Sequence, residues 1–268
     1  MSVNNKLANL KWAFPIFVSI LMIRPALAMI AMHIKCRGGL YPRSNVERFP
    51  VPDEKVGWSV EYKNYKPVNH SAPSLHGQPW ADPEIGKLSY MGQYKIQHGY
   101  PLNPIGRTGI VGRGVLGRWG PNHGADTVFV AIKRGDTGEW ALPGGMVDPG
   151  EKETETAVRE FQEEAINCLD MTEEENKDWV RRFKRIFSGG KVVHRGYIDD
   201  HRNTDNAWIE SVAYSFHDET GATAGALSLH AGDDAVGVQW VDITPQLKLY
   251  ASQNQKVDEV YRRITNTK

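Results

Sequence analysis

Residues 144–165 read GGMVDPGEKETETAVREFQEEA and end in a cluster of carboxylates, Glu160, Glu163 and Glu164, spaced three and four residues apart. On a helix that spacing puts all three on one arc. Ala157, Phe161 and Ala165, four apart, form an apolar stripe on the opposite side, with Val158 beside it. Like charges this close repel by about a few tenths of a kcal/mol per pair on an exposed helix. A bare acidic cluster is ordinarily a solvated face. Here a glycine-rich loop and the stiff Pro149-Gly150 pair precede it, which points to a site. A hard cation would remove the repulsion. Magnesium, with manganese as a substitute, takes carboxylate, water and phosphate oxygens. Held between the glutamates and a pyrophosphate, such an ion would polarise phosphorus and acidify a bound water. The helix N-terminus and the loop amides favour phosphate oxygens. Arg159 can reach back to Glu151 in an ion pair that fixes the loop on the helix.

The order Gly145, five residues, Glu151, seven residues, Arg159-Glu160-Phe161, one residue, Glu163-Glu164 resembles the Nudix box. The family pattern then continues with any residue, a glycine and an apolar residue, where this chain has Ile166 and Asn167. Outside the box, the strings YPRS (41–44), GRTG (106–109), GRWGPNH (117–123), GYIDDHRNTDNAW (196–208), AGDD (231–234) and LYAS (249–252) are similar to mitochondrial-type ADP-ribose pyrophosphatases. They are similar too to the related ADP-ribose-binding Nudix tail of a cation channel.

The resemblance implies magnesium-dependent hydrolysis of ADP-ribose to AMP and ribose 5-phosphate. It implies Glu160, Glu163 and Glu164 as metal ligands, and Gly145, Glu151 and Arg159 as architecture. Glu163 or Glu164 is one candidate for the general base; Asp233 or Asp234 of the AGDD loop is the other. His123, Asp200, Arg202 and Tyr250 are implied as substrate contacts. An Arg fork suits phosphate or ribose oxygens, and a Tyr can stack or hydrogen-bond. Trp119 and Trp208 read as core. A hydrolase of another nucleoside diphosphate derivative and a non-catalytic ADP-ribose sensor are the alternatives; the intact REFQEE argues for catalysis.

The elements that must carry these residues follow from periodicity. Residues 127–133 (TVFVAIK) are β-rich, 135–138 have turn chemistry, and 139–142 resume extended structure as a hairpin. Residues 153–166 are helix-like. Thr172 opens a second helix with Glu173, Glu174 and Glu175 in its first turn and Trp179, Phe183 and Ile186 on one side. Residues 191–197, 208–216 and 238–241 read as strands and 253–264 as a helix. Alternation of the two types predicts an α/β domain over 119–268, implied by the resemblance to be a Nudix α/β/α sandwich. Residues 36–118, rich in Pro, Gly, Tyr and Asn, read as a smaller irregular lobe with short strands. The glycine-dense stretch 106–120 lacks P-loop and dinucleotide spacing and reads as a connection. The family has longer stretches between Pro83 and Met91 and between Asp126 and Phe129; the second holds a strand and a hairpin in the family.

The 268 residues carry 32 basic and 32 acidic side chains, so no global field favours nucleic acid as a partner. A small-molecule substrate is the partner expected, and no obligate protein partner is evident. Cys36 and Cys168 cannot build a disulfide framework. Residues 1–35 contain no acid, with Lys6 and Lys11 ahead of an apolar run over 12–23 and Ala26-Leu27-Ala28 after it. That order reads as a targeting or signal segment. The family resemblance points to mitochondria; composition alone points to the secretory pathway or a membrane anchor.

Overall fold

The computed structural model describes residues 33–265, apart from 82–84, 86–87, 128–129, 217, 219–223, 242–245 and 252. The apolar run over 12–23 lies outside the described residues. Among those described, no helix is long and apolar enough to cross a membrane. The strands are β1 (Val68–Ser71), β2 (Ile96–Gln97), β3 (Tyr100–Pro101), β4 (Ile110–Gly114), β5 (Gly120–Thr127), β6 (Ala131–Arg134), β7 (Trp140–Ala141), β8 (Gly144–Met146), β9 (Lys191–Ile198), β10 (Ala207–Ser215) and β11 (Ala235–Gln239). The helices are α1 (Glu153–Ile166), α2 (Glu173–Phe187) and α3 (Asn254–Thr265).

Two sheets form the α/β body, one of order β8-β5-β10-β9 and one of order β11-β6-β7. β5 and β10 run parallel in register from Gly120↔Ala207 to Thr127↔Tyr214, and the other neighbours are antiparallel. Side chains alternate across the sheets, as a period of two requires. Val212 and Tyr214 of β10, with Ile132 of β6, meet Ala157, Phe161 and Ala165 of α1 and Phe183 of α2. Ala213 and Ala131 point the other way, towards Val257 and Val260 of α3. Helix, sheet and helix are thus layered as expected.

Local signals held where chemistry was strong. α1 spans the predicted residues, and its stripe of Ala157, Phe161 and Ala165 is fully buried. α2 begins at the expected cap. Thr172 accepts from the Glu175 backbone while the Glu175 carboxylate accepts from the Thr172 N–H. β6 and β7 close the expected hairpin.

Two readings need correction. The run 127–133 is divided: Thr127 ends β5, and β6 begins at Ala131. The strand ahead of that break, GPNHGADT, has almost no intrinsic β-preference. It is formed by its place between β8 and β10, where Gly124 lies close enough to Gly145 that a Cβ would sit 3.0 Å from the Gly145 carbonyl oxygen. The last strand is shifted as well, to Ala235–Gln239, because its pairing with β6 runs from Ala235↔Arg134 to Gln239↔Ala131.

The glycine-dense stretch is more than a connection. It contains β4, which pairs in parallel with β1. β4 also meets the loop 199–206, between β9 and β10. Thr204 Oγ1 donates to the Gly112 carbonyl at 2.6 Å, the Gly112 N–H donates to Asn206 Oδ1 at 2.9 Å, and the Asp205 N–H donates to the Ile110 carbonyl at 2.9 Å. The folded body also reaches further towards the N-terminus than residue 36. The backbone N–H groups of Ile34 and Lys35 donate to Asp199 Oδ2, each at 2.8 Å, and His33 is fully buried.

Truncation separates leader from body. Deleting residues 1–28 is expected to leave the melting temperature of the purified protein unchanged. Deleting residues 1–36 removes the contacts of His33 to Cys36 and should lower it by several degrees; equal melting of the two truncations would refute the anchoring role.

Candidate active site

Helix α1 packs by its apolar stripe, which fixes the direction of its other arc. That arc is turned to the edge of the sheet, against β8. Glu160 and Glu164 are therefore buried, at 9% and 3% exposure, where the sequence suggested a solvated face or an open metal site. Glu164 Oε2 accepts the Gly144 N–H at 2.9 Å. Gly145 is required by close approach: a Cβ there would lie 2.0 Å from Glu160 Oε1. The glycines of the box thus make room for carboxylates.

Arg159 ties the loop to the helix as the spacing predicted. Its Nε and one terminal nitrogen donate to the two oxygens of Glu151 at 3.0 and 3.1 Å. Its other terminal nitrogen donates to Glu160 at 2.8 Å and to Glu163 at 3.0 Å. The Arg159 guanidinium holds Glu151 below the usual carboxylate range. Burial does the opposite to the inner pair. It raises Glu160 to about 7 against the pull of Arg159, with Glu163 and Asp233 adding to the rise. Burial also raises Glu164 to about 9, against the Gly144 N–H, with Asp234 and Glu160 contributing to the rise.

The loop 231–234 completes this acidic group. The Gly232 N–H donates to the Glu164 carbonyl at 3.2 Å and the His230 N–H to the Ala165 carbonyl at 2.9 Å, so the loop satisfies the open end of α1. Asn167 closes the helix in the left-handed region, φ 55°, a conformation Asn tolerates. The departure from the box at Ile166 is absorbed by the core, where Ile166 is buried.

Glu160, Glu164, Asp233 and Asp234 line a cavity of about 220 Å³ together with Asp200 and Arg202. A second cavity, of about 700 Å³, shares Arg43, Arg134, Met146, Arg202 and Tyr250 with the first, so the two adjoin across these side chains. His123 and Trp80 line the larger one. Glu163 is not among the lining residues of either; its carboxylate is turned to Arg159.

The remaining predicted contacts fall along this cleft with different roles. Arg202 is clamped by Asp200: its Nε and a terminal nitrogen donate to the two carboxylate oxygens at 2.8 and 2.9 Å. Asp200 itself is 2% exposed, so it holds Arg202 in place and has little left to offer a ligand. Burial alone would raise its pKa, but the Arg202 charge and hydrogen bonds outweigh it and lower it. The Tyr250 ring carries Arg134 on its face, 4.8 Å from the centroid. His123 lies 4.4 Å from the Tyr90 ring and 3.7 Å from Glu210 Oε2. Trp208 is core, as read; Trp119 is half-buried against Tyr100, 4.8 Å between ring centroids.

Sequence reasoning missed Arg43, Arg134 and Trp80. Arg43 stands in the YPRS string, and that was the available signal. Arg134 looks like an ordinary hairpin charge until the fold puts it over Tyr250. Reasoning also missed Lys256 at the floor of the smaller cavity, an α3 residue bonded to Asp126 and Ser211.

The donor set suits a hard divalent ion. Buried carboxylate oxygens drawn towards protonation are what such an ion would relieve. Bringing Glu160 and Glu163 onto one ion requires the Arg159 nitrogen that bridges them to move off both.

A pH-dependent stability follows. For acids whose folded pKa is raised, the folded state holds more protons than the unfolded state above the unfolded pKa, so stability falls as pH rises. In chelator, the melting temperature should drop from pH 5 to pH 8 as Glu160 is forced to ionise and Glu164 holds a proton that the unfolded chain would release. Added magnesium should recover more of it at pH 8 than at pH 5. A magnesium effect independent of pH would contradict the buried-carboxylate account.

The NUDIX domain pattern matches residues 111–263, and that of the NUDT9-like N-terminal domain matches residues 51–91 and 86–120. The chain is 49% identical over 265 residues to the rat ADP-ribose pyrophosphatase, mitochondrial, covering 83% of this chain and 76% of that one. It is 43% identical over 261 residues to nudix hydrolase 6 of Caenorhabditis elegans, covering 86% and 97%. It is 41% identical over 271 residues to the transient receptor potential cation channel subfamily M member-like 2 of Nematostella vectensis, covering 85% of this chain and 18% of the channel. A MutT/nudix family protein from Enterococcus faecalis superposes with a TM-score of 0.39 at 18% identity, covering 55% of this chain and 62% of that one. A matched box, a glycine loop seated on its glutamates and relatives of this identity together mean that the chain belongs to the Nudix hydrolase family.

Proposed function

We propose that this chain hydrolyses the pyrophosphate of ADP-ribose to AMP and ribose 5-phosphate, with magnesium as its ion and manganese as a substitute. The observation that carries the reading is the adjacency of the two cavities. An acidic cavity lined by Glu160, Glu164, Asp233 and Asp234 adjoins, across Arg202, Arg134 and Tyr250, a roomier one lined by Trp80 and His123. That sequence of surfaces matches a molecule with a charged centre and nucleoside or sugar at its ends. The activity named for the rat relative supports the same substrate for this chain.

Bound by Glu160, Glu163 and Glu164, magnesium would neutralise the pyrophosphate and acidify water at the attacked phosphorus. The chain's own residues do the rest. Arg202, preorganised by Asp200, offers its free guanidinium edge to phosphate oxygens without having to be ordered first. Arg134, held on the Tyr250 ring, adds a second cation at the junction of the cavities. Asp233 and Asp234 stand at the acidic end with Glu164, and Asp234 adds to the rise of the Glu164 carboxyl. A carboxylate of this group, or Glu163, takes the proton of the attacking water. The mitochondrial rat relative also supports a mitochondrial address, with residues 1–35 as its targeting segment.

Two substitutions test the reading. Glu163→Gln keeps shape and helix preference but removes a charge where the transition state needs it. Turnover of ADP-ribose should fall roughly 100- to 1000-fold, with the magnesium requirement shifted upward. Glu174→Gln, on the exposed first turn of α2, is the control and should be neutral. Wild-type turnover of Glu163→Gln at low magnesium would remove it from the metal site.

Arg202→Lys preserves charge but loses the fork that Asp200 clamps. KM for ADP-ribose should rise about tenfold, with a smaller change in kcat. An unchanged KM would take Arg202 out of substrate binding.

A further inference from the structure

We infer that His33, Cys36 and Asp199, with the Tyr197 hydroxyl, form a structural zinc site that is separate from the Nudix box. Among the described residues these three are the group of potential metal ligands whose donor atoms all lie within 4.8 Å of one another. All are buried, and neither they nor Tyr197 line the cleft described above.

The orientation of His33 is that of a metal ligand. Its Nε2 lies 3.1 Å from the Arg107 carbonyl, and a carbonyl only accepts, so Nε2 carries the proton of the neutral ring. The Nδ1 lone pair then faces Cys36 Sγ at 3.5 Å and the Tyr197 hydroxyl at 2.9 Å. A ligand His is typically fixed in this way, by its other N–H on a backbone carbonyl.

The spacing suits zinc. Bonds of about 2.3 Å to sulfur and about 2.0 Å to nitrogen in a tetrahedron put the two ligand atoms about 3.5 Å apart, and His33 and Cys36 are at that separation. The Tyr197 oxygen is 3.8 Å from the sulfur; it accepts from Asn203 at 2.9 Å and from Asn103 at 3.4 Å, and would give up the longer of these to serve as fourth donor. Asp199 wraps the segment around the site. One of its oxygens accepts the N–H groups of Ile34 and Lys35, and the other accepts the Cys36 N–H at 3.2 Å.

Charge and softness agree. Binding releases the Cys36 proton to solvent, and one thiolate with one carboxylate balances a divalent ion in a buried site. A thiolate and an imidazole select zinc, whereas the all-oxygen box selects magnesium, so the two sites do not compete. The ion would pin the first folded residues to the end of β9, one residue before Asp200, the clamp of Arg202.

The test uses the full chain, expressed in zinc-supplemented medium and dialysed against magnesium without chelator. Metal analysis should find roughly one zinc per chain. Replacement by cobalt should give a near-ultraviolet thiolate-to-cobalt charge-transfer band, which cobalt on the box carboxylates cannot produce. Cys36→Ser should lose both the zinc and the band. The spectrum of the wild-type protein keeps the test decisive even if that variant does not fold. Less than about a tenth of an equivalent of zinc in folded wild-type protein, no thiolate band with cobalt, or a folded Cys36→Ser that keeps its zinc would each overturn the site.

Discussion

Everything at the catalytic end depends on keeping Glu160 and Glu164 buried as carboxylates. Burial of an anion is costly unless it is paired or hydrogen-bonded. Here the sheet edge supplies what relief it can: the Gly144 N–H to Glu164 and the Arg159 guanidinium to Glu160. That relief is incomplete, which is why both groups are drawn towards protonation near neutral pH. The apolar stripe of α1 is what enforces the situation. Phe161 and its neighbours bury one side of the helix in the core, and the glutamates have no choice but to face β8. Core packing therefore stores an unmet demand for positive charge at the floor of the cleft.

A second constraint runs through the loop between β9 and β10, residues 199–206. Its side chains are all polar and mostly buried, and several are bound to other parts of the chain. Asp199 gathers residues 34–36, Asp200 clamps Arg202, and Asn203 accepts the Ile209 N–H and donates to the Ile198 carbonyl. Asp205 accepts from Thr108 and Tyr65. The N-terminal residues and the strand β4 are attached to the catalytic body here. Because Arg202 belongs to the same loop, the attachment and the proposed substrate contact share one structure. A polar loop of this kind is rigid only when fully satisfied.

Asp126 ends up buried near Lys256, Ser211 and Gln253, so α3 is tied to β5 through an ion pair and hydrogen bonds at the floor of the smaller cavity. Gln253 also accepts the Leu142 N–H at 2.8 Å. The C-terminal helix and the residue ahead of it thus brace β5 and the chain just after β7.

The sequence by itself determined the elements with strong local chemistry and the carboxylate cluster. The box spacing marked α1, its buried stripe, its carboxylates and the Glu151–Arg159 pair, because those depend on helical geometry and short-range contact. Thr172 and its glutamates marked the start of α2 for the same reason. Family strings pointed to Arg202, Tyr250 and His123, but not to what each touches. Tertiary structure alone decided the rest. β5 is a strand only because two partners flank it. Asp200 became a clamp because Arg202 folds back on it, and Arg134 became part of the cleft because Tyr250, far along the chain, lies beneath it. The burial of Glu160 and Glu164 belongs there too: a helical pattern tells which residues share an arc, and only packing tells what that arc is pressed against.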